Sequence, residues 1–131
     1  MRLQLALNVE KIDESIDYYS KLFNTAPHKI RPGYANFAID SPPLKLVLFE
    51  NPGAAERINH LGVELNNEEN LAGVSERLSA EGLNDTTEQG TTCCFAKQDK
   101  VWSTEPQGLR WEWYKILDDN PDKLTSSKCC A

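Results

Sequence analysis

The chain has 131 residues, 40% of them hydrophobic and 8% aromatic, which is the length of one domain and enough apolar matter for a single core. Its 14 Lys and Arg stand against 20 Asp and Glu, a formal charge of −6 that disfavours sequence-independent binding to nucleic-acid phosphates or anionic lipid. No run approaches the roughly 18 apolar residues of a membrane helix, and the first strand-like residues lead into Glu10-Lys11 without a small-residue cleavage site, so a cytoplasmic protein is expected.

In chain order, Leu3, Leu5, Leu7 and Val9 alternate with Gln4, Ala6 and Asn8, which predicts a half-buried strand with Gln4 on the polar face. From Glu10 to Phe23, Ile12, Ile16, Tyr19, Leu22 and Phe23 recur at helical spacing, and Asn24 is placed to close that helix. Three short extended runs follow, around His28 to Ile30, Tyr34 to Ile39 and Leu44 to Phe49, separated by Pro32-Gly33 and Ser41-Pro42-Pro43. After Asn51-Pro52-Gly53 the order restarts. Ile58 to Leu65 reads as a strand, and Leu71, Val74 and Leu78 mark a helix that Gly82 should stop. Asn66 and Glu69 resemble a capping box ahead of it. Extended segments are then predicted at Asp85 to Gln89, Thr92 to Ala96, Val101 to Thr104 and Leu109 to Ile116, with Lys97-Gln98-Asp99-Lys100 as a turn.

Strand, helix and three strands thus occur twice, an internal repeat of about 56 residues that superposes Gln4 in "QLALNV" on His60 in "HLGVEL". One such module has an unburied sheet face, so two in one chain are expected to pair around a cleft, giving an α+β domain over residues 1–117 with modules 1–55 and 56–117. The remainder, 118–131, is polar and is expected to be a flexible tail.

Chemistry concentrates in few positions. His60, one of two histidines, lies mid-strand, where a core imidazole with satisfied hydrogen bonds is the plain alternative to a ligand. Its company favours the ligand. Gln4 occupies the equivalent place in the other module, and Glu112 interrupts the apolar "RWEWY", where a carboxylate needs a partner. An amide oxygen, an imidazole nitrogen and a carboxylate make a three-point face for an octahedral divalent ion, a variant of the two-histidine, one-carboxylate arrangement of non-haem iron(II). The position matching Glu112 in the first module is Val47, so no fourth protein ligand is expected. His28, beside Pro27, Lys29 and Arg31, reads as exposed and uninvolved.

The four cysteines form two adjacent pairs, Cys93-Cys94 and Cys129-Cys130, which staple nothing distant and read as free vicinal dithiols open to soft metals or metalloids. Strand neighbours point to opposite faces, so joint chelation by Cys93 and Cys94 requires a backbone bend, which Gly90 and the polar loop make available. One buried small residue and one exposed thiol is the alternative. Lys97 and Lys100, flanking the pair, read as solvated turn charges.

The segments "QLALNV", "PGYANFAI", "PPLKLVLFENPG", "NHLGVE" and "GTTCCFAKQDKVW" are similar to the carbon-arsenic bond lyase and cadmium-induced protein branch of the vicinal oxygen chelate superfamily, which includes glyoxalase I, extradiol dioxygenases and bleomycin-resistance proteins. The resemblance implies the paired βαβββ fold of that superfamily and an iron(II)- and dioxygen-dependent enzyme. Such enzymes cleave the carbon-arsenic bond of trivalent organoarsenicals such as methylarsenite and trivalent aromatic arsenicals, releasing arsenite in detoxification. It implies that Gln4, His60 and Glu112 hold the iron and serve catalysis, that Cys93 and Cys94 hold arsenic, and that dioxygen takes an open iron position. Superfamily members are often dimers, although pairing of modules within one chain can also suffice. Two other functions compete: a thiol protein that sequesters cadmium or arsenite without turnover, and a glyoxalase-type isomerase acting on a glutathione hemithioacetal. The latter generally uses four protein ligands and leaves Cys93-Cys94 without a role.

Overall fold

Alternating apolar residues fold as strands and the two periodic segments as helices in a computed structural model that describes residues 1–121. The elements are β1 (Arg2–Val9), α1 (Ile12–Leu22), β2 (Lys29–Arg31), β3 (Tyr34–Ile39), β4 (Leu44–Glu50), β5 (Ile58–Leu65), α2 (Leu71–Ala80), β6 (Thr86–Cys93), β7 (Ala96–Thr104) and β8 (Arg110–Asp118). Strand, helix and three strands therefore do occur twice. The chain divides into two compact units, Arg2–Leu61 and the part from Gly62 on together with Met1, so the division falls within β5. Cys129 and Cys130 lie outside the described residues, as does most of the segment expected to be a tail. Among the described residues no helix is long and apolar enough to cross a membrane.

In the Arg2–Leu61 unit the strands run β2-β3-β4-β1-β5. β1 and β4 are parallel, setting Leu3, Leu5 and Leu7 against Leu44, Leu46 and Leu48, while β2, β3 and β4 are antiparallel. The core on this side is Val9, Phe37, Ile39, Leu46 and Leu48, with Ile12, Ile16, Tyr19 and Phe23 from α1 and its C-terminus packed on it. α1 lacks a capping side chain at Lys11. Instead Glu50 Oε2 accepts from the Ile12 N–H at 2.9 Å, satisfying one of the donors left open at a helix start. Asn24, in the left-handed region at φ 49°, follows the last turn as its sequence position suggested.

The reading of β1 as half-buried needs correction. Leu3 is 57% exposed, whereas Gln4, Ala6 and Asn8 are all buried. Cross-strand neighbours extend that second face: Gln4 lies opposite Lys45, Ala6 opposite Val47 and Asn8 opposite Phe49, and Asn36 opposite Val47 in turn. All are buried. The face away from α1 is therefore closed to water yet rich in polar groups, and such groups must find partners.

The second unit carries the end of β5 and continues β5-β8-β7-β6, with β6, β7 and β8 antiparallel and α2 lying against β7 and β8. The capping-box bonds form, with Asn66 Oδ1 accepting from the Glu69 N–H and Glu69 Oε1 from the Asn66 N–H. They close the turn before the helix, however, and the residue that caps α2 is Asn70, accepting from the Ala72 N–H at 2.9 Å. β6 is one strand rather than two segments. A register shift between Glu88 and Thr91, with Gly90 at φ 60°, absorbs the irregularity as a bulge.

Leu46→Ala is expected to cost about 2–5 kcal/mol and Asn70→Ala about 1 kcal/mol, whereas Leu3→Ala should stay within about 0.5 kcal/mol. Urea unfolding of the three variants checks that ranking.

Candidate functional site

Strand alternation puts Gln4 on the buried polar face of β1, and pairing along the sheet brings His60 of β5 beside it. Gln4 is 5% and His60 1% exposed, and Gln4 Nε2 lies 3.2 Å from His60 Nε2. Phe49 flanks the imidazole, with ring centroids 6.3 Å apart. The superposed positions of the internal repeat thus meet.

A chain of asparagines decides which imidazole nitrogen carries the proton. Asn8 Oδ1 accepts from Asn59 Nδ2 at 3.0 Å and from Asn51 Nδ2 at 3.3 Å, while Asn8 Nδ2 donates to the Glu56 carbonyl at 2.9 Å. With its amide nitrogen spent on Asn8, Asn59 presents its oxygen to His60 Nδ1 at 2.7 Å. Nδ1 therefore carries the hydrogen, leaving the Nε2 lone pair to accept from Gln4. That neutral tautomer, with Nε2 bare and Nδ1–H anchored, is the form of a metal-ligating histidine. A half-turn of the Gln4 amide exchanges its nitrogen for its oxygen and adds a second donor atom. The sequence reading missed Asn8, Asn51 and Asn59. Its available signal was the placement of asparagine within strands β1 and β5, where that residue type is depleted.

On the same face Asn36 Nδ2 donates to the Tyr34 hydroxyl at 2.9 Å, but buried Asn36 Oδ1 accepts from none of the described residues. An acceptor left open in the interior costs about 1–3 kcal/mol, and it suits a bound molecule that brings its own N–H or O–H.

Glu112 belongs to the second unit. It lies between Trp111 and Trp113 in β8 and is 2% exposed. Its partner is Lys100, whose Nζ is 3.2 Å from Glu112 Oε1. This corrects the reading of Lys97 to Lys100 as a solvated turn: all four residues belong to β7, and Lys100 is 0% exposed. The turn lies earlier, at Cys94-Phe95. Cys93 pairs with Ala96, and both residues between them have positive φ, 51° and 64°, the signature of a two-residue hairpin turn of the type normally made by Asn-Gly. No glycine or asparagine marks it, which is why composition did not locate it. The bend that chelation by neighbouring cysteines requires is therefore made by Cys94 and Phe95 themselves and not by Gly90.

Cys93 and Cys94 are disulfide-bonded, which corrects their reading as free thiols, since a disulfide sulfur has no thiolate to offer a metalloid. Cys93 is buried, its Sγ 3.5 Å from Lys100 Nζ, and its carbonyl accepts from Gln98 Nε2 at 2.6 Å. Among the described residues no three His, Cys, Asp or Glu side chains gather as a metal-holding group. The expected ligand set draws one member from an amide, and its donors, a neutral imidazole, an amide and a carboxylate, suit a divalent ion in kind. His28 is exposed and outside this group. A groove of about 610 Å³ lined by Asn70, Ser75, Thr87, Lys115 and other residues of α2 and β6–β8 contains none of the predicted site residues.

The model of the Glyoxalase/Bleomycin resistance protein/Dioxygenase superfamily matches residues 3–113. The chain is 56% identical over 119 residues to the cadmium-induced protein CadI of Mycobacterium bovis, covering 91% of this chain and 78% of that one. It is 50% identical over 133 residues to the trivalent organoarsenical cleaving enzyme of Thermomonospora curvata, covering 99% of this chain and 88% of the relative. Among solved structures it is similar to a Mn(II)-bound glyoxalase from Novosphingobium aromaticivorans, with TM-score 0.64, 16% identity and coverage of 93% of this chain and 41% of that one. A superfamily member from Vibrio splendidus gives TM-score 0.58 at 13% identity, covering 87% and 97%. Likeness at such identities concerns the fold.

Asn59→Leu is expected to release His60 into a mixture of tautomers, whereas Asn59→Asp retains the acceptor and with it the Nδ1–H form. Imidazole ¹⁵N shifts of His60 in labelled protein distinguish the two, and an unchanged tautomer in Asn59→Leu would show that Asn59 does not set it.

Proposed function

The chain belongs to the Glyoxalase/Bleomycin resistance protein/Dioxygenase superfamily and has its α+β fold, and on that footing we propose that it cleaves the carbon-arsenic bond of trivalent organoarsenicals, methylarsenite and trivalent aromatic arsenicals among them, releasing arsenite. The observation that carries this reading is the sharing of one buried cation, Lys100, between Glu112 and Cys93, which sets a carboxylate suited to a metal beside a sulfur suited to arsenic. The identity to the organoarsenical cleaving enzyme over nearly the whole chain supports it.

In this reading Gln4, His60 and Glu112 would hold iron(II), which when bound would supply, with dioxygen, the oxidising chemistry for carbon-arsenic cleavage. The protein's own part is binding, orientation and charge. Asn59 fixes the histidine tautomer and Gln4 offers its amide oxygen. Cys93 and Cys94, once a cellular thiol reductant has supplied two electrons and two protons for each disulfide that holds them, bind the arsenical. Each thiol exchanges for one hydroxyl on arsenic, forming an arsenic-sulfur bond and releasing water, with arsenic remaining trivalent. Two sulfurs at the tip of one hairpin hold the arsenic centre in place, so that the subsequent step is effectively intramolecular. A cytoplasmic location fits the requirement for reduced cysteines.

Reduced protein loaded anaerobically with iron(II), then given trivalent methylarsenical and dioxygen, is expected to release arsenite only when both iron and dioxygen are present, as read by arsenic speciation. Glu112→Ala should lower turnover by about 100-fold or more, a loss beyond that of an outer-shell partner, while sparing arsenical binding. Cys94→Ser should weaken arsenical binding by roughly 100-fold, as loss of one of two linked contacts does, while sparing metal content. An arsenical that binds tightly and returns intact would make thiol sequestration the function. Full turnover by Glu112→Ala would remove that residue from the iron site.

A further inference from the structure

Lys100 has no role in the mechanism above beyond neutralising a buried carboxylate, yet its position is more specific than that. Cys93 pairs with Ala96, which lies on the same face of β7 as Lys100 four residues on, and pairing of β7 with β8 sets Trp102 opposite Glu112. The ammonium is thereby fixed between the sulfur and the carboxylate, 3.5 Å from Cys93 Sγ and 3.2 Å from Glu112 Oε1, with the Trp102 ring centroid 5.4 Å away. It is fully buried, so solvent screens none of these interactions strongly.

Resting on the proposed roles of Glu112 and Cys93, we infer that Lys100 is a positioning residue that couples occupancy of the metal site to the reactivity of the arsenic-binding sulfur. Its single positive charge is shared by Glu112 and the Cys93 sulfur. With no divalent ion at Glu112, the carboxylate holds the greater share. A divalent cation on Glu112 neutralises the carboxylate and repels the ammonium, and the positive charge is then available to the reduced Cys93 sulfur, stabilising it as the anion that attacks arsenic. Linkage makes the effect reciprocal. An anionic sulfur at Cys93 draws Lys100 from Glu112 and favours metal, whereas the disulfide sulfur, being uncharged, leaves Lys100 on the carboxylate and disfavours it. The enzyme is thereby biased to present a reactive sulfur only when a metal is in place, and to hold metal less well when oxidised.

The test uses the full chain with Mn(II) as the probe ion and iodoacetamide as the probe of sulfur, with alkylation at Cys93 resolved by mass spectrometry on reduced, desalted protein under nitrogen. Saturating Mn(II) is expected to raise the Cys93 alkylation rate by roughly fivefold or more, and the reduced protein should bind Mn(II) more tightly than the disulfide form by a similar factor. Lys100→Met should abolish the metal effect on alkylation, and Lys100→Arg, which keeps the charge, should restore part of it. No change in wild-type alkylation on Mn(II) binding would overturn the coupling without recourse to any variant, as would persistence of the effect in folded Lys100→Met. Mn(II) binding is measured in Glu112→Ala alongside. Unweakened binding there overturns the assignment of Glu112 to the metal, whereas Glu112-dependent binding with unresponsive Cys93 overturns the coupling alone.

Discussion

Glu112 sits inside β8 with two tryptophans as chain neighbours and 2% of its surface exposed, a place where an ionised carboxylate persists only with a cation within reach. That cation is Lys100, and holding its ammonium there demands the register of three strands. β7 must align so that Lys100 reaches Glu112 diagonally across β8, and β6 must end where Cys93 meets the same nitrogen. Strands of period two make this possible, because Lys100 and Trp102 then share one face of β7. The hairpin and the carboxylate are therefore not separate features that happen to be near each other; the same buried charge is partner to both.

The other unit solves a related problem with neutral groups. Its buried polar face carries amides in place of ions, and each amide has one donor end and one acceptor end. In the series from the Glu56 carbonyl through Asn8 and Asn59 to His60, satisfying one end of an amide dictates which end faces the next residue. Direction is thus passed along the series, and it arrives at the imidazole as a choice of nitrogen. An aspartate in place of Asn8 would bring a charge into the interior, and a leucine would leave neighbouring groups without partners.

Much of this was legible in the residues themselves. The two-residue alternation of β1, the helical spacing of α1 and the repeat that aligns Gln4 with His60 each follow from local pattern, and the structure reproduces them. A carboxylate in "RWEWY" announced its need for a partner, but not which residue would meet it, because Lys100 lies on a neighbouring strand and looked like part of a polar turn. Four polar residues in succession, Lys97-Gln98-Asp99-Lys100, resemble a loop by composition. In the structure they are a strand with Gln98 and Lys100 buried on one side, a tertiary outcome that overrides local preference. The true turn, Cys94-Phe95, carries none of the residues that usually signal one. Where the local rules fail, at the hairpin tip and along β7, is also where the proposed chemistry lies.

Two consecutive L-residues in the left-handed region at that tip cost on the order of 1–3 kcal/mol each, and a protein chosen only for stability would place Asn-Gly there. Such a replacement would relax the turn and delete the Cys94 sulfur in the same stroke. Efforts to make this chain more heat-resistant by consensus turn chemistry would therefore erode its capacity to grasp a metalloid, and the hairpin tip is the place where robustness and reactivity cannot be improved together.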